Sequence, residues 1–282
     1  MKPHPISDSE TPSRAFICLM AMLMSFVALS IDAMMPALGL IGIELQVGHP
    51  NDVQFVISSI FIGMGLGLMF FGPFSDSFGR KKAIYLGLSI YLAGTIACIF
   101  ASNFTILIGG RILQGLGAAS CRVSTMSIIR DRYEGNTMAR IMSLIMILFI
   151  LVPALAPSIG QIILQFAGWR VIFMLMLLMA ITSLVWLSLG LEETLTKDKR
   201  LAFSLDTILK GVKETLRTRS TMSYTIASAL IFGAFIGYLS SSQQLLQEQY
   251  GLQEMFSVVF GVLALSVGLA GLLKKSFAII FM

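Results

Sequence analysis

The stretch GPFSDSFGRKKA, residues 72–83, packs one acid, three bases, two glycines and a proline between two long apolar runs. It stands out because charge is scarce elsewhere. Of 282 residues, 56% are hydrophobic and 12% charged, and the mean hydropathy is +0.85. A soluble domain of this size could not cover its surface with so few charges, so the chain reads as an integral membrane protein. A helix crossing the hydrocarbon core needs about 20 apolar residues. Eight stretches meet that need, near 15–38, 53–74, 83–101, 105–129, 139–165, 169–191, 221–243 and 255–273, and residues 72–83 form the connection between the second and third. The runs lack the period-two alternation of a lipid-facing strand, so the expected class is all-α. The first run is too long for the apolar region of a signal peptide and precedes no small-residue cleavage pattern, which favours a retained helix over the alternative of a cleaved signal.

Orientation follows from charge. With the N-terminus in the cytoplasm, seventeen of the twenty basic residues fall in inner segments, Arg170 alone in an outer one, and Arg111 and Arg122 within a span. This is the positive-inside pattern of a multi-pass protein. The net charge of +5 then reflects topology and contact with the lipid bilayer, with no nucleic-acid partner implied. Cys18, Cys98 and Cys121 lie in apolar spans, and His4 and His49 lie far apart, so no disulfide framework and no metal site is implied. No Gly-rich phosphate loop and no nucleophile beside a base is present, so neither a cofactor nor an enzyme is expected.

The expected organisation is a cytoplasmic tail (1–14), a six-helix bundle (15–191), a cytoplasmic loop (192–220), two helices of a second bundle (221–273) and an atypical tail (274–282). Within the loop, SLDTILKGVKETLR has the pattern of an amphipathic helix. At an offset of 201, Phe55 aligns with Phe256, Gly63 with Ala264, Gly65 with Ser266 and Gly67 with Gly268. Faint self-similarity of this kind accompanies parallel repeats in transporters. The echo fails after Leu273, and KKSFAIIFM reads as a truncation.

Several polar residues sit where lipid makes them costly. Asp32, in LSIDAMMPAL, is the only acid well inside a span. It should face a wet cavity or carry a proton; the bland alternative is a site near the outer headgroups. Pro36 has no amide hydrogen and frees the carbonyl four residues back, that of Asp32 itself. Arg111 and Gln114, in RILQGLGAAS, share a helix face one turn apart, and an arginine at that depth should face the protein interior or an anionic substrate. Gly115 and Ala119 form a small-residue seam for helix packing. Arg122 lies nearly on the Arg111 face or snorkels to the headgroups. In LVPALAPSIGQ, Pro153 and Pro157 remove two backbone donors and Gly160 admits a neighbouring helix, which predicts a kink or packing tight enough to meet the freed carbonyls.

Together these pieces resemble the major facilitator superfamily, and within it the Bcr/CflA type of drug-resistance transporter. GPFSDSFGRKK is similar to the superfamily loop between spans two and three, with Gly72, Asp76, Gly79, Arg80 and Lys81 at matching positions. RILQGLGAA resembles the span-four motif, PALAPSIG the span-five motif of antiporters with Gln161 where a second glycine is usual, and LSIDAMMPAL the span-one acid and proline of drug/proton antiporters. GWRVIF and EETL bracket span six in the family manner, and SSSQQLLQ has Gln243 where the family commonly shows a proline.

The resemblance implies a twelve-helix bundle, of which this chain holds the N-terminal six helices and about two more. It implies proton-coupled multidrug efflux across a bacterial inner membrane by alternating access. Asp32, Arg111 and Gln114 would line the proton and substrate cavity, Arg80 would pair with Asp131 in a cytoplasmic gate, and Asp76 would reach a helix N-terminus in the other bundle. The implied partners are protons, a small-molecule substrate and, for a truncated chain, a separately made C-terminal half. Two alternatives stay open: a proton-coupled metabolite transporter on the same scaffold, and a fragment that transports nothing.

Overall fold

The computed structural model describes residues 13–252 and 255–266, and all regular structure among them is helical. The helices are α1 (Arg14–Asp32), α2 (Leu38–Glu44), α3 (Phe55–Phe78), α4 (Arg80–Ile99), α5 (Phe104–Arg132), α6 (Gly135–Phe166) and α7 (Arg170–Gly190). They are followed by α8 (Leu205–Arg217), α9 (Arg219–Gln243) and α10 (Phe256–Ser266). Among the described residues, seven helical segments are long and apolar enough to cross a membrane. The eighth expected span, 255–273, is present as α10 as far as Ser266, and its remainder lies outside the described residues, as do the tails.

Two expected boundaries shift. The first apolar run extends over Arg14–Glu44, further than residue 38, and is not one helix. It breaks after Asp32, passes through a 3-10 turn at Met35–Ala37, and resumes as α2. Pro36 sits in that turn, where the missing amide hydrogen interrupts the i→i−4 ladder. The connection at 72–83 shrinks in turn: Gly72 to Phe78 belong to α3, Arg80 opens α4, and Gly79 alone lies between them. Its φ of 111° lies in a region that glycine enters without penalty. Helices can run on into the polar boundary because their hydrogen bonds are internal, so span limits read from hydropathy fall short of helix ends.

Lipid tails are as apolar as leucine, so the bundle holds together by close packing rather than by the hydrophobic effect. The central helix is α5, between α3 and α4. A methyl group on Gly115 would meet the Ile60 carbonyl of α3, and one on Gly117 would meet the Gly87 carbonyl of α4. The small residues of RILQGLGAAS therefore serve two interfaces, and the Gly115 and Ala119 seam faces α3. Phe26 of α1 packs edge-on against Tyr91 of α4, with ring centroids 5.0 Å apart. The amphipathic stretch of the loop forms α8, and the loop before it lies against α3, where the Phe203 ring approaches Phe70, Phe74 and Phe78.

Candidate functional site

Three polar centres lie along the bundle. The first is at the end bearing Arg80, Lys81, Arg130 and Arg132, called here the basic end. The reversal at Gly79 turns Arg80, in the first turn of α4, back toward α3. Its guanidinium is 9% exposed; Nε donates to Asp131 Oδ2 at 3.0 Å, and Nη1 donates to Asp76 and, at 3.1 Å, to Ser75 Oγ. The acids come from α3 and the last turn of α5, so one arginine ties three helix ends together. Asp76 engages Arg80 one turn on, and its backbone carbonyl accepts from Leu201 N at 3.2 Å. Among the described residues, its carboxylate reaches no helix of a second bundle. Gly72 has open space around it, so the turn rests on Gly79.

Residues after α7 complete this centre. Glu193 accepts from Arg80 N at 2.9 Å and from Lys81 N at 3.2 Å, filling the donors at the start of α4. Lys81 Nζ donates to Leu191 O at 2.6 Å, just past the end of α7, and Thr194 Oγ1 donates to Asp131 at 3.3 Å. An acid at a helix start and a base at a helix end both suit the helix dipole.

The second centre is closed inside the bundle. Arg111 is fully buried; Nε donates to Val56 O of α3 at 2.8 Å, Nη1 donates to Gln114 Oε1 at 3.0 Å, and the group lies 5.9 Å from the Phe173 ring of α7. Nη2 has no partner among the described residues. Gln114 Nε2 donates to Thr95 Oγ1 at 2.8 Å, and Thr95 donates to Tyr91 O at 2.7 Å. The Tyr91 hydroxyl meets Ser30 Oγ of α1 at 2.6 Å. Hydrogen bonds thus join α1, α3, α4 and α5 around a cation that has no acid beside it among the described residues. Arg122 is half-buried and makes no ion pair among the described residues.

The third centre is the break in the first span. Asp32 is 3% exposed at the end of α1, buried among protein side chains. Among the described residues, no donor reaches its carboxylate. Across from the break stands α6, whose Gly160 faces the Ala33 carbonyl and Pro36; a methyl group there would lie 3.1 Å from Pro36 Cγ. Pro153 and Pro157 both lie inside the continuous helix α6. Nearby on the same helix, Ser257 of α10 donates to Pro157 O at 3.2 Å, and Gly261 of α10 sits against the Ala154 carbonyl. Pro36 and Gly160, read separately in the sequence, therefore form one contact.

The structure joins Arg111 to Gln114, and Arg80 to Asp76 and Asp131. It makes no ion pair between Asp32 and Arg111, which occupy separate centres. Two cavities of about 460 Å3 lie elsewhere. One, between α3 and α8, includes Met69, Pro73 and Val212; the other, at the far end, includes Gly42, Gln54 and Gln243. Sequence reading missed Glu193, Tyr91 and a contact at the far end, where Glu44 pairs with Arg170 and accepts from Trp169 Nε1 at 2.6 Å. EETL and GWRVIF contain Glu193, Trp169 and Arg170, yet their partners lie more than one hundred residues away and leave no local signal. No group of three or more His, Cys, Asp or Glu side chains among the described residues is placed to hold a metal ion.

The sequence matches the family model of the Major Facilitator Superfamily over residues 15–280. It is 29% identical over 267 residues to an uncharacterized MFS-type transporter of Bacillus subtilis, covering 94% of this chain and 66% of that protein. It is 27% identical over 269 residues to a bicyclomycin resistance protein homolog of Haemophilus influenzae, covering 93% of this chain and 66% of that protein. It is also 27% identical to the multidrug resistance protein MdtL of Escherichia coli K12, covering 86% of this chain and 60% of that protein. The chain thus spans a little under two thirds of the length of these relatives. Among solved structures, a D-xylose–proton symporter superposes with a TM-score of 0.66 at 14% identity, covering 89% of this chain and 64% of that one. The human organic anion transporter MFSD10 gives 0.62 at 16% identity, covering 90% and 71%. At such identities the likeness concerns the fold.

Proposed function

The chain belongs to the Major Facilitator Superfamily, and from that premise we propose that it serves proton-coupled export of small drug-like compounds by alternating access. The observation that carries this reading is Asp32: a buried carboxyl group without a donor, at a helix break packed against α6. A charged carboxylate at such a depth costs several kcal/mol on insertion scales unless water or a proton meets it. Proton uptake from outside and release to the cytoplasm would therefore bias two arrangements of the bundle in opposite directions, and substrate binding would oppose the proton. The resistance proteins among the relatives support the drug-like substrate class.

The remaining residues take supporting roles. Arg80, Asp76 and Asp131 form a latch at the basic end, which the charge asymmetry assigns to the cytoplasm. Such a latch holds one state and must open in the other. The break at Pro36 and the Gly160 contact give α1 and α6 a joint at which packing can rearrange. The Arg111–Gln114 pair ties α3, α4 and α5 into one body that moves as a unit. A second reading, transport of an anionic metabolite, draws on the unpartnered Nη2 of Arg111.

The test uses inside-out vesicles holding the full 282-residue chain, an established proton gradient and a pH-sensitive dye. Addition of a drug is expected to release protons with the unaltered chain and not with Asp32→Asn. Retained drug-driven proton movement in Asp32→Asn would overturn the role of Asp32. A response to anionic metabolites alone would favour the second reading.

A further inference from the structure

Glu193 lies outside the ion cluster at the basic end, yet it holds the backbone from which that cluster is built. Its two carboxylate oxygens accept from consecutive amides, Arg80 N at 2.9 Å and Lys81 N at 3.2 Å. Oε1 also accepts from Leu195 N at 3.1 Å, so the carboxylate is fixed to its own strand of loop as well as to α4. Gly79 makes the room for it: a β-carbon there would lie 2.9 Å from the Glu193 carboxyl carbon. The contact is answered in the opposite direction by Lys81, whose Nζ donates to Leu191 O at 2.6 Å. Thr194, the next residue, donates to Asp131, the same acid that Arg80 binds.

Arg80 is held at both ends, its amide by Glu193 and its guanidinium by Asp76 and Asp131. Hydrogen bonds to a charged acceptor are stronger than neutral ones, so this clamp is firm for its size. We propose that Glu193 is a positioning residue: it docks the segment after α7 onto the start of α4 and thereby aims Arg80 at Asp131 and Asp76. The ion cluster then depends on α7 keeping its place beside α4. Separation of those two helix ends withdraws Glu193 and loosens Arg80. This inference rests on the reading of the cluster as a latch, and it adds the group that sets the latch.

A plain helix cap would stabilise α4 without touching the Arg80–Asp131 pair, and a double-mutant cycle separates the two roles. The full chain in detergent micelles is compared with Glu193→Ala, Asp131→Ala and the double variant by thermal unfolding. The expected result is a double variant whose Tm falls by clearly less than the sum of the single losses, because removal of Glu193 has already misplaced Arg80. Additive losses overturn the proposal. Glu193→Gln, which keeps the length and gives up the charge and one acceptor, runs through the same cycle and is read by the same criterion should the alanine variant fail to assemble.

Hydrogen exchange supplies a second readout. The Arg80 and Lys81 amides should exchange about tenfold faster or more in Glu193→Ala, as expected for loss of a charge-assisted hydrogen bond. Unchanged exchange at those two amides overturns the geometry itself. Neither measurement uses transport, so failure here leaves the test of Asp32 standing, and failure of that test leaves this one intact.

Discussion

The packing of α3 on α5 can be tested by one substitution made at two positions. A β-carbon at Gly63 would run into the Ile112 carbonyl oxygen and lie 2.8 Å from its carbon and 2.9 Å from Leu116 N. Ordinary contact between such atoms starts at about 3.5 Å, so α3 and α5 must part by roughly 1.5 Å to clear the carbonyl oxygen and admit Gly63→Ala. Overpacking of this kind costs about 1–3 kcal/mol, and the upper part of that range applies because the obstruction is backbone, which cannot rotate away.

Alanine returns about 0.5–1 kcal/mol over glycine within a helix, which leaves a net loss of about 2 kcal/mol. Gly65 sits two residues on in the same helix with nothing within 4 Å of its β-position. Gly65→Ala should keep only the gain. The two variants then differ by about 3 kcal/mol with opposite signs, or roughly 6–12 °C in Tm on the scale of a chain this long. Thermal unfolding in one fixed detergent, followed by circular dichroism and by recovery of monodisperse chain, reads the difference. Equal shifts for the two variants would refute the packing argument.

Two further outcomes follow from the buried Arg111 centre and from the contact at the far end. Gln114→Leu leaves Arg111 Nη1 without its acceptor in the closed interior, and should cost about 1–3 kcal/mol in the same unfolding assay. Glu44→Gln at the far end should cost no more than about 1 kcal/mol. The Glu44–Arg170 pair is half-exposed, so its loss should shrink further at high salt, measured as Tm against ionic strength.

The helical class of this protein is written locally in the sequence. Lipid offers no hydrogen bonds to the backbone, so each apolar run must satisfy its own amides, and a helix of bilayer length is the outcome wherever such a run occurs. Hydropathy therefore found the long helices, and the pattern of SLDTILKGVKETLR found α8. Proline chemistry placed a weak point in the first span, and Arg111 and Gln114 were legible as one face because i and i+3 are neighbours on any helix.

Partnership across the bundle was not legible from spacing. Which carbonyl Arg111 would meet, which helix Gly160 would admit, and which acid would seat on the start of α4 all depend on how helices are rotated and set against one another. Val56 is 55 residues from Arg111, and Glu193 is 113 from Arg80. No sequence period links such pairs; resemblance to a family suggested Arg80 with Asp131 and marked EETL without a partner for Glu193. Composition and period determined the helices because their bonds are internal. Tertiary structure decided the polar contacts between helices, because each of them closes only after two helices have already packed.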